Sequence, residues 1–541
     1  MKKYQVLSVI AVLSLSSLIG CSGSKEQEGE PVDKTKAQLT IATYEGGVGK
    51  KWLENAAREF EEMNKDRTDY KEGRTGIQIH IQSDRTVGGQ SLETGDLKKD
   101  IYFTENVDYY KLTNQRKLLD ITDILTEENA EDDGKTILSK IDKNLLSFMN
   151  RGTESEPKYH AVPFYDCLYG LIYDKDLFEE RGFYLTNDGE PAYDRADFGT
   201  GPNGVAGDWD DGLPRTYAQF KGLMDRMVDE DVTPFTYSKG NSKEYTTRGL
   251  VSHWSDYEGY DDTQHNFSFN GTMQHYVSGF TGSTPNITTK AITKNNGYEL
   301  RKQAGVYYAL SFARTITKSN NYYSSKPSSN YDAQKLFVKN KYLGGSNKPI
   351  AMLFEGTWWE NEAKSAFEDV LNHYDPEATF NYGFMAIPKV DDDHIGDATF
   401  TNLNKSFSFI NSKTNNLKQA KEFFQFLHTD AQLKAFTKET NMTRGLKYSF
   451  NDEELEDLTS YARDLMNIKQ SEHVNIVFPY SGQDFFINNA STFVTTSWVF
   501  GTKTYTDDPI IKFISDKNLT AKQFFDAHVD ALNSTDWSLI I

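Results

Sequence analysis

Cysteine is nearly missing from this chain: Cys21 and Cys167 are the only two in 541 residues. A framework of several disulfides is therefore excluded, and stability must come from packing. Positive charge is also scarce. Lys and Arg total 59 against 79 Asp and Glu, a formal charge of −20, and so acidic a surface repels nucleic acid and anionic lipid head groups over a Debye length. A neutral or cationic ligand is easier to accommodate. Signatures of catalysis are lacking too. There is no H-E-x-x-H, no G-x-S-x-G at a strand-to-helix elbow, and the histidines are scattered. Carboxylates abound, so a glycoside hydrolase, which needs only two at a fixed separation, stays open. Beyond the N-terminus there is no long apolar run, no internal repeat and no long low-complexity tract. Aromatic residues, by contrast, are plentiful, with 31 Tyr and 34 Phe; ordinary core filling accounts for them, and so would a binding cleft rich in flat rings.

The N-terminus is the most specific stretch. Lys2 and Lys3 precede an apolar segment over residues 6–18 that is too short to span a bilayer, followed by Leu18-Ile19-Gly20-Cys21. This arrangement is a secretory signal, and its end resembles the bacterial lipobox. The resemblance implies a signal peptide over 1–20 and diacylglycerol on Cys21, whose buried methylenes each contribute about 0.8 kcal/mol to membrane anchoring. A chance cysteine behind a plain signal peptide is the alternative. Residues 21–36 are polar and aperiodic, as a flexible tether would be. With Cys21 lipidated no intrachain disulfide remains, and Cys167, inside "FYDCLYGLIY", reads as a small buried hydrophobe.

A chain this long exceeds one hydrophobic core and predicts at least two lobes. Leu39-Thr40-Ile41-Ala42 reads as a strand, and Trp52, Leu53, Ala56, Ala57, Phe60 and Met63 recur at helical spacing. "GIQIHIQ" and "DIYF" are further strands, the pattern of a parallel sheet covered by helices. A second unit starts near "YHAVPFYDCLYGLIYDKDLFEERG", with a helix opened at Asp174 and closed by Gly182; Thr216 with Gln219 forms a capping box. "KPIAMLFEGTWWENEA" repeats the succession of strand, glycine break and helix. Residues 260–345 are polar and predict helices interrupted by long loops.

The glycine break in "TYEGGVGKK" is not a phosphate loop. G-x-x-x-x-G-K-[ST] would need glycine where Tyr44 stands and Ser or Thr where Lys51 stands. Between strand and helix it either makes a plain turn or lets backbone N–H groups approach a hydroxylated ligand. The loop 201–214 carries Asp208, Asp210 and Asp211 among glycines, which are hard-oxygen candidates for calcium, although the EF-hand register is not met; a plain turn is the alternative. No other cofactor is expected.

The stretches "LTIATYEGG", "KKWLENAAREFEEMN", "VPFYDCLYGLIYDKDLFEERG", "LPRTYAQF", "IAMLFEGTWWENEA", "NYGFMAIPKV" and "LKQAKEFFQFLHTDAQLKAF" occur in an order that resembles the extracellular solute-binding proteins of ATP-binding-cassette importers, in particular their maltose-binding-protein-like sugar-binding group. The resemblance implies an α/β, two-lobed periplasmic-binding-protein-like fold with a hinge and an interlobe ligand cleft. Lobe one would hold residues 37–159 and 402–445, and lobe two residues 160–401 and 446–541. It further implies a monomeric, extracytoplasmic, lipid-anchored receptor, not an enzyme, that captures a carbohydrate, expected to be an oligosaccharide, and presents it to the importer's permease subunits. A lipid-anchored glycoside hydrolase, or a binder of another solute on the same scaffold, is the alternative.

The same resemblance names site residues. Trp358 takes the place of the family's sugar-stacking tryptophan, and an indole can cover the apolar face of a pyranose. Tyr165 and Asp166 fall at the cleft floor, Tyr245 and Trp254 in lobe two, and Tyr44, Glu45, Glu105 and Asn106 at the edge of lobe one. Thr104 stands where the maltodextrin-binding member has tryptophan, which argues against that ligand. Packing or surface roles are the alternative for each of these residues.

Overall fold

The computed structural model describes residues 31–84, 87–324, 327–403, 406–481 and 508–539. The expected signal peptide and Cys21 lie outside the described residues, as does the segment 482–507 of the expected second lobe. Residues 31–36 of the expected tether are fastened down. Gln78 donates to the Pro31 carbonyl and accepts the Asp33 N–H, and Arg74 donates to the Lys36 carbonyl.

Two five-stranded sheets organise the chain. The first runs in the order Ile77–Asp84, Ala37–Tyr44, Ile101–Phe103, Phe407–Ile410, Val162–Pro163, with the first three strands parallel and the last two joined antiparallel. Leu39, Ile41, Ile77 and Ile79 are all buried, so apolar side chains at every second position seat these strands in the core. The helix Lys51–Met63 covers the sheet with Trp52, Leu53, Ala56, Ala57 and Phe60. Met63, expected on that face, is 54% exposed. The second sheet runs Tyr323–Ser324, Thr233–Thr236, Ile350–Gly356, Tyr169–Asp174, Tyr382–Met385 and is again mixed. Asp174 caps the helix Lys175–Arg181, which Gly182 ends in the left-handed region (φ 59°). Thr216 caps the helix Tyr217–Asp229, while the Gln219 side chain accepts from Arg215 N–H.

Residues 260–345 hold expected helices, Ala304–Lys318 and Asn330–Leu343, but differ from expectation in one respect. They hold a long antiparallel hairpin, Gly271–Thr281 with Thr284–Ile292, turning at Gly282 (φ 66°). Only Met273, Val277, Pro285 and Ile292 of these strands are buried, so both faces are largely polar and the strand period is hidden.

The chain passes between the two sheets at residues 164–168, again between Met385 and Phe407, and a third time beyond the helix Asp430–Thr440, where Arg444 bridges Tyr165. Asp166 joins all three passes. Its carboxylate accepts from Asn402 Nδ2 at 3.0 Å, Thr443 Oγ1 at 2.8 Å and Lys469 Nζ at 2.7 Å, and its N–H donates to the Thr443 carbonyl at 2.9 Å. Arg444, fully buried, donates through Nε to the Phe164 carbonyl at 2.6 Å and lies 5.2–5.5 Å from the rings of Trp52, Phe164 and Phe436. Burial pushes its pKa down to about 10. Among the described residues no helix is long and apolar enough to cross a membrane. Because Asp166 is 1% exposed, Asp166→Ala leaves Lys469 and two polar side chains without their acceptor. We expect a loss of about 3–5 kcal/mol in urea unfolding; a loss below about 1 kcal/mol, the range of an exposed pair, would contradict this role.

Candidate functional site

The strands Ala37–Tyr44, Ile101–Phe103 and Ile350–Gly356 all end toward one cavity of about 210 Å³. This is the crevice outside strand carboxyl ends where open α/β sheets take ligands. Tyr44 lies at the end of the first strand, Glu105 and Asn106 follow the second, and Trp358 follows the third; Tyr165 enters from the first interlobe pass and Tyr245 from the helix Ser242–Ser268. Six of the expected contacts therefore line one space.

Glycines let this space close. A Cβ on Gly356 would sit 2.1 Å from Trp358 Cη2, and one on Gly47 would sit 2.6 Å from Trp358 Cβ. The half-buried indole is thus embraced by its own turn and by the facing loop of the other sheet. Asn361 Nδ2 donates to the Gly47 carbonyl, a hydrogen bond across the crevice. Thr357, one residue before the indole, donates through Oγ1 to the Asp166 carbonyl at 3.0 Å, which ties the tryptophan turn to the hinge.

Tyr169 stands edge-on to Trp358 (centroids 5.2 Å, 85°) and to Tyr245 (6.1 Å, 87°). The Arg248 guanidinium lies 5.4 Å from the Tyr169 centroid and pairs with Glu244 at 3.4 Å. Glu105 accepts from the Tyr165 hydroxyl, and burial pushes its pKa up to about 7. Glu355, wholly buried behind the cavity, accepts from the Tyr245 hydroxyl at 2.5 Å and from Gly356 N–H at 3.0 Å, and burial pushes it up to about 8. Rings, carboxyls and amides together offer a flat apolar wall with a hydrogen-bonding rim.

Three expected contacts are not part of this space. Asp166 is committed to the hinge, and its side of the pass opens on a separate cavity lined by Lys135, Lys140, Tyr448 and Lys469. Trp254 is 3% exposed and donates its indole N–H to Gln303 Oε1 at 3.0 Å inside an apolar cluster with Leu250, Tyr307 and Leu310. Its helix turns that face inward, away from the crevice. Glu45 points to solvent, since the chain turns at Gly46 and Gly47 and only Tyr44 reaches inward. Asp208 and Asp211 line another separate cavity, and Asp210 is buried beneath them, accepting from Asn203 N–H at 3.0 Å.

Sequence reasoning missed Tyr169, Glu244, Arg248 and Glu362. Glu362 stands one helical turn beyond Trp358, and Glu244 and Arg248 flank Tyr245 on its helix, so helical spacing around the two recognised aromatics would have found them. Tyr169 carries no such signal. It is one of several tyrosines in a strand with residues buried on both faces.

The carboxyl shifts set a pH dependence. The folded state holds the proton of Glu355 more tightly than the unfolded chain, whose carboxyl keeps the ordinary value of 4.5. Its contribution to stability is therefore complete below about pH 4.5 and is lost as pH rises through about 8. Glu355→Gln keeps an acceptor for Tyr245 without the titration. Melting temperatures from pH 4.5 to 8.5 are expected to fall less steeply in this variant than in the parent; parallel curves would contradict the assignment.

The bacterial extracellular solute-binding protein family model matches residues 49–434, and the chain belongs to that family. The apo form of RafE from Streptococcus pneumoniae is similar in structure, with a TM-score of 0.53 at 13% identity over 94% of this chain and 99% of that one. RafE in complex with raffinose gives a TM-score of 0.51 at 13% identity over 93% and 99%. These likenesses give the two-lobed α/β fold. Comparison with curated proteins yields no match.

Proposed function

We propose that the chain is the substrate-binding receptor of an ATP-binding-cassette importer, that it captures a carbohydrate between its lobes, and that it does so without chemical turnover. The observation that carries this reading is the cavity at the strand ends, where Trp358, Tyr169, Tyr245 and Tyr44 meet Glu105, Asn106 and Glu362. Stacked rings cover the apolar face of a sugar, and carboxyl and amide groups orient its hydroxyls. The raffinose bound by RafE, on the same fold, agrees with that chemistry. At about 210 Å³, the cavity is below the roughly 300–1,000 Å³ of drug-sized sites, so a single ring or a short oligosaccharide with its far end outside is the fitting guest. Closure follows if the guest touches both lobes only when they are shut.

The test is calorimetry and thermal shift with a panel of mono- to trisaccharides. One sugar class is expected to bind stoichiometrically and unchanged, with Trp358→Ala weakening it by about 2 kcal/mol or more, roughly thirtyfold in Kd. A sugar hydrolysed on mixing, or binding indifferent to Trp358→Ala, would overturn the reading.

The same proposal places a diacylglycerol anchor on Cys21, outside the described residues. It is supported by the signal sequence that ends in Leu18-Ile19-Gly20-Cys21. In expressing bacteria Cys21→Ser is expected to move the protein from the membrane fraction to the soluble fraction; unchanged fractionation would refute the anchor.

A further inference from the structure

The helix Ser242–Ser268 is broken inside at Gly259, whose φ of 73° and ψ of −175° are open essentially to glycine alone. Around the break three ligand-type side chains converge. Glu258 precedes it, Asp262 lies one turn beyond it, and His275 comes from the facing strand Gly271–Thr281. One donor atom from each lies within 4.8 Å of the other two.

We propose that Glu258, Asp262 and His275 form a binding site for one divalent ion of the zinc class, which clips the polar hairpin to the broken helix. His275 Nδ1 is 3.2 Å from Glu258 Oε2 and 3.6 Å from Asp262 Oδ2. A tetrahedral ion with ligands about 2.0–2.1 Å away keeps its donor atoms about 3.3–3.4 Å apart, so an ion enters here with little rearrangement. Asp262 Oδ2 also accepts Gln274 N–H at 2.7 Å and His275 N–H at 3.3 Å, which fix its position, and the outer oxygens are held as well. Glu258 Oε1 accepts Gly305 N–H at 2.7 Å, and Asp262 Oδ1 faces His265 Nε2 at 3.4 Å. Such outer partners orient ligating carboxylates. The two carboxylates are 0% and 3% exposed, whereas the His275 ring is 33% exposed, which leaves an approach for the ion and room for a water as fourth ligand. One imidazole with two carboxylates suits zinc or its first-row neighbours better than calcium, which prefers six or more oxygens. A cation here would also offset the desolvation of two buried carboxylates side by side. A protonated His275 can supply one, and the experiment separates that state from a metal site.

The whole chain, untagged and stripped with chelator, is titrated with Co²⁺ by visible absorption and with Zn²⁺ by calorimetry. We expect one equivalent of either ion to bind, a cobalt band of tetrahedral intensity, and a melting temperature that rises with zinc. His275→Ala and, separately, Glu258→Gln should weaken zinc by about a hundredfold or more, beyond the loss typical of an outer partner. Because His275 is partly exposed, its variant is expected to stay folded, checked by an unchanged far-ultraviolet circular dichroism spectrum. No binding at millimolar zinc, which leaves His275 as a plain ion-pair partner, would overturn the proposal. So would undiminished binding in folded His275→Ala.

Discussion

The buried carboxylate of Asp166 holds the two halves of this protein in one register. Backbone passes that are distant in sequence meet at it, through Asn402 from the second pass and Thr443 from the third, with Lys469 supplying the opposite charge. A lone carboxylate so deep would be costly, and its three donors make the location tolerable. The same residue's carbonyl receives Thr357, so the turn that presents Trp358 is anchored to the hinge itself. Arg444 adds a second tie by donating to Phe164 from among aromatic rings.

Around that axis, glycines let the two sides of the crevice approach closely. Contacts that cross it include Gly47 against Trp358 and the Asn361 amide on the Gly47 carbonyl. A guest bridging the two lobes can then decide the equilibrium, because it contributes interactions to the shut state alone. The raised carboxyls of Glu105 and Glu355 belong to the same arrangement, since burial disfavours their charged forms.

Much of the fold could be read from residue pattern, and the reason is local. Leu39 and Ile41 alternate with less buried neighbours, Trp52 through Phe60 repeat at helical spacing, and Asp174 and Thr216 cap the helices they precede. The hairpin over 271–292 was illegible because few of its residues are buried and its two faces are similarly polar. Around the cavity, the residues at turns after strands are those that sequence pattern brings together, as Tyr44, Glu105, Asn106 and Trp358 show. Asp166 and Trp254 lie outside the cavity for one shared reason. Sequence gives their neighbourhood but not the side of the backbone they occupy, and both turn into the interior. Tyr169 reaches the crevice through strand order, which only the assembled sheets determine.

The account depends most on lobes that separate and rejoin about the Asp166 hinge. Spin labels at Lys51→Cys and Glu368→Cys, in a Cys21→Ser background, report the gap directly; Cys167 is buried, with its thiol pKa pushed up, and stays unlabelled. Pulsed electron–electron resonance is predicted to give a longer or broader distance distribution without sugar, collapsing to one short distance at saturation. An identical distribution in both states would contradict the account.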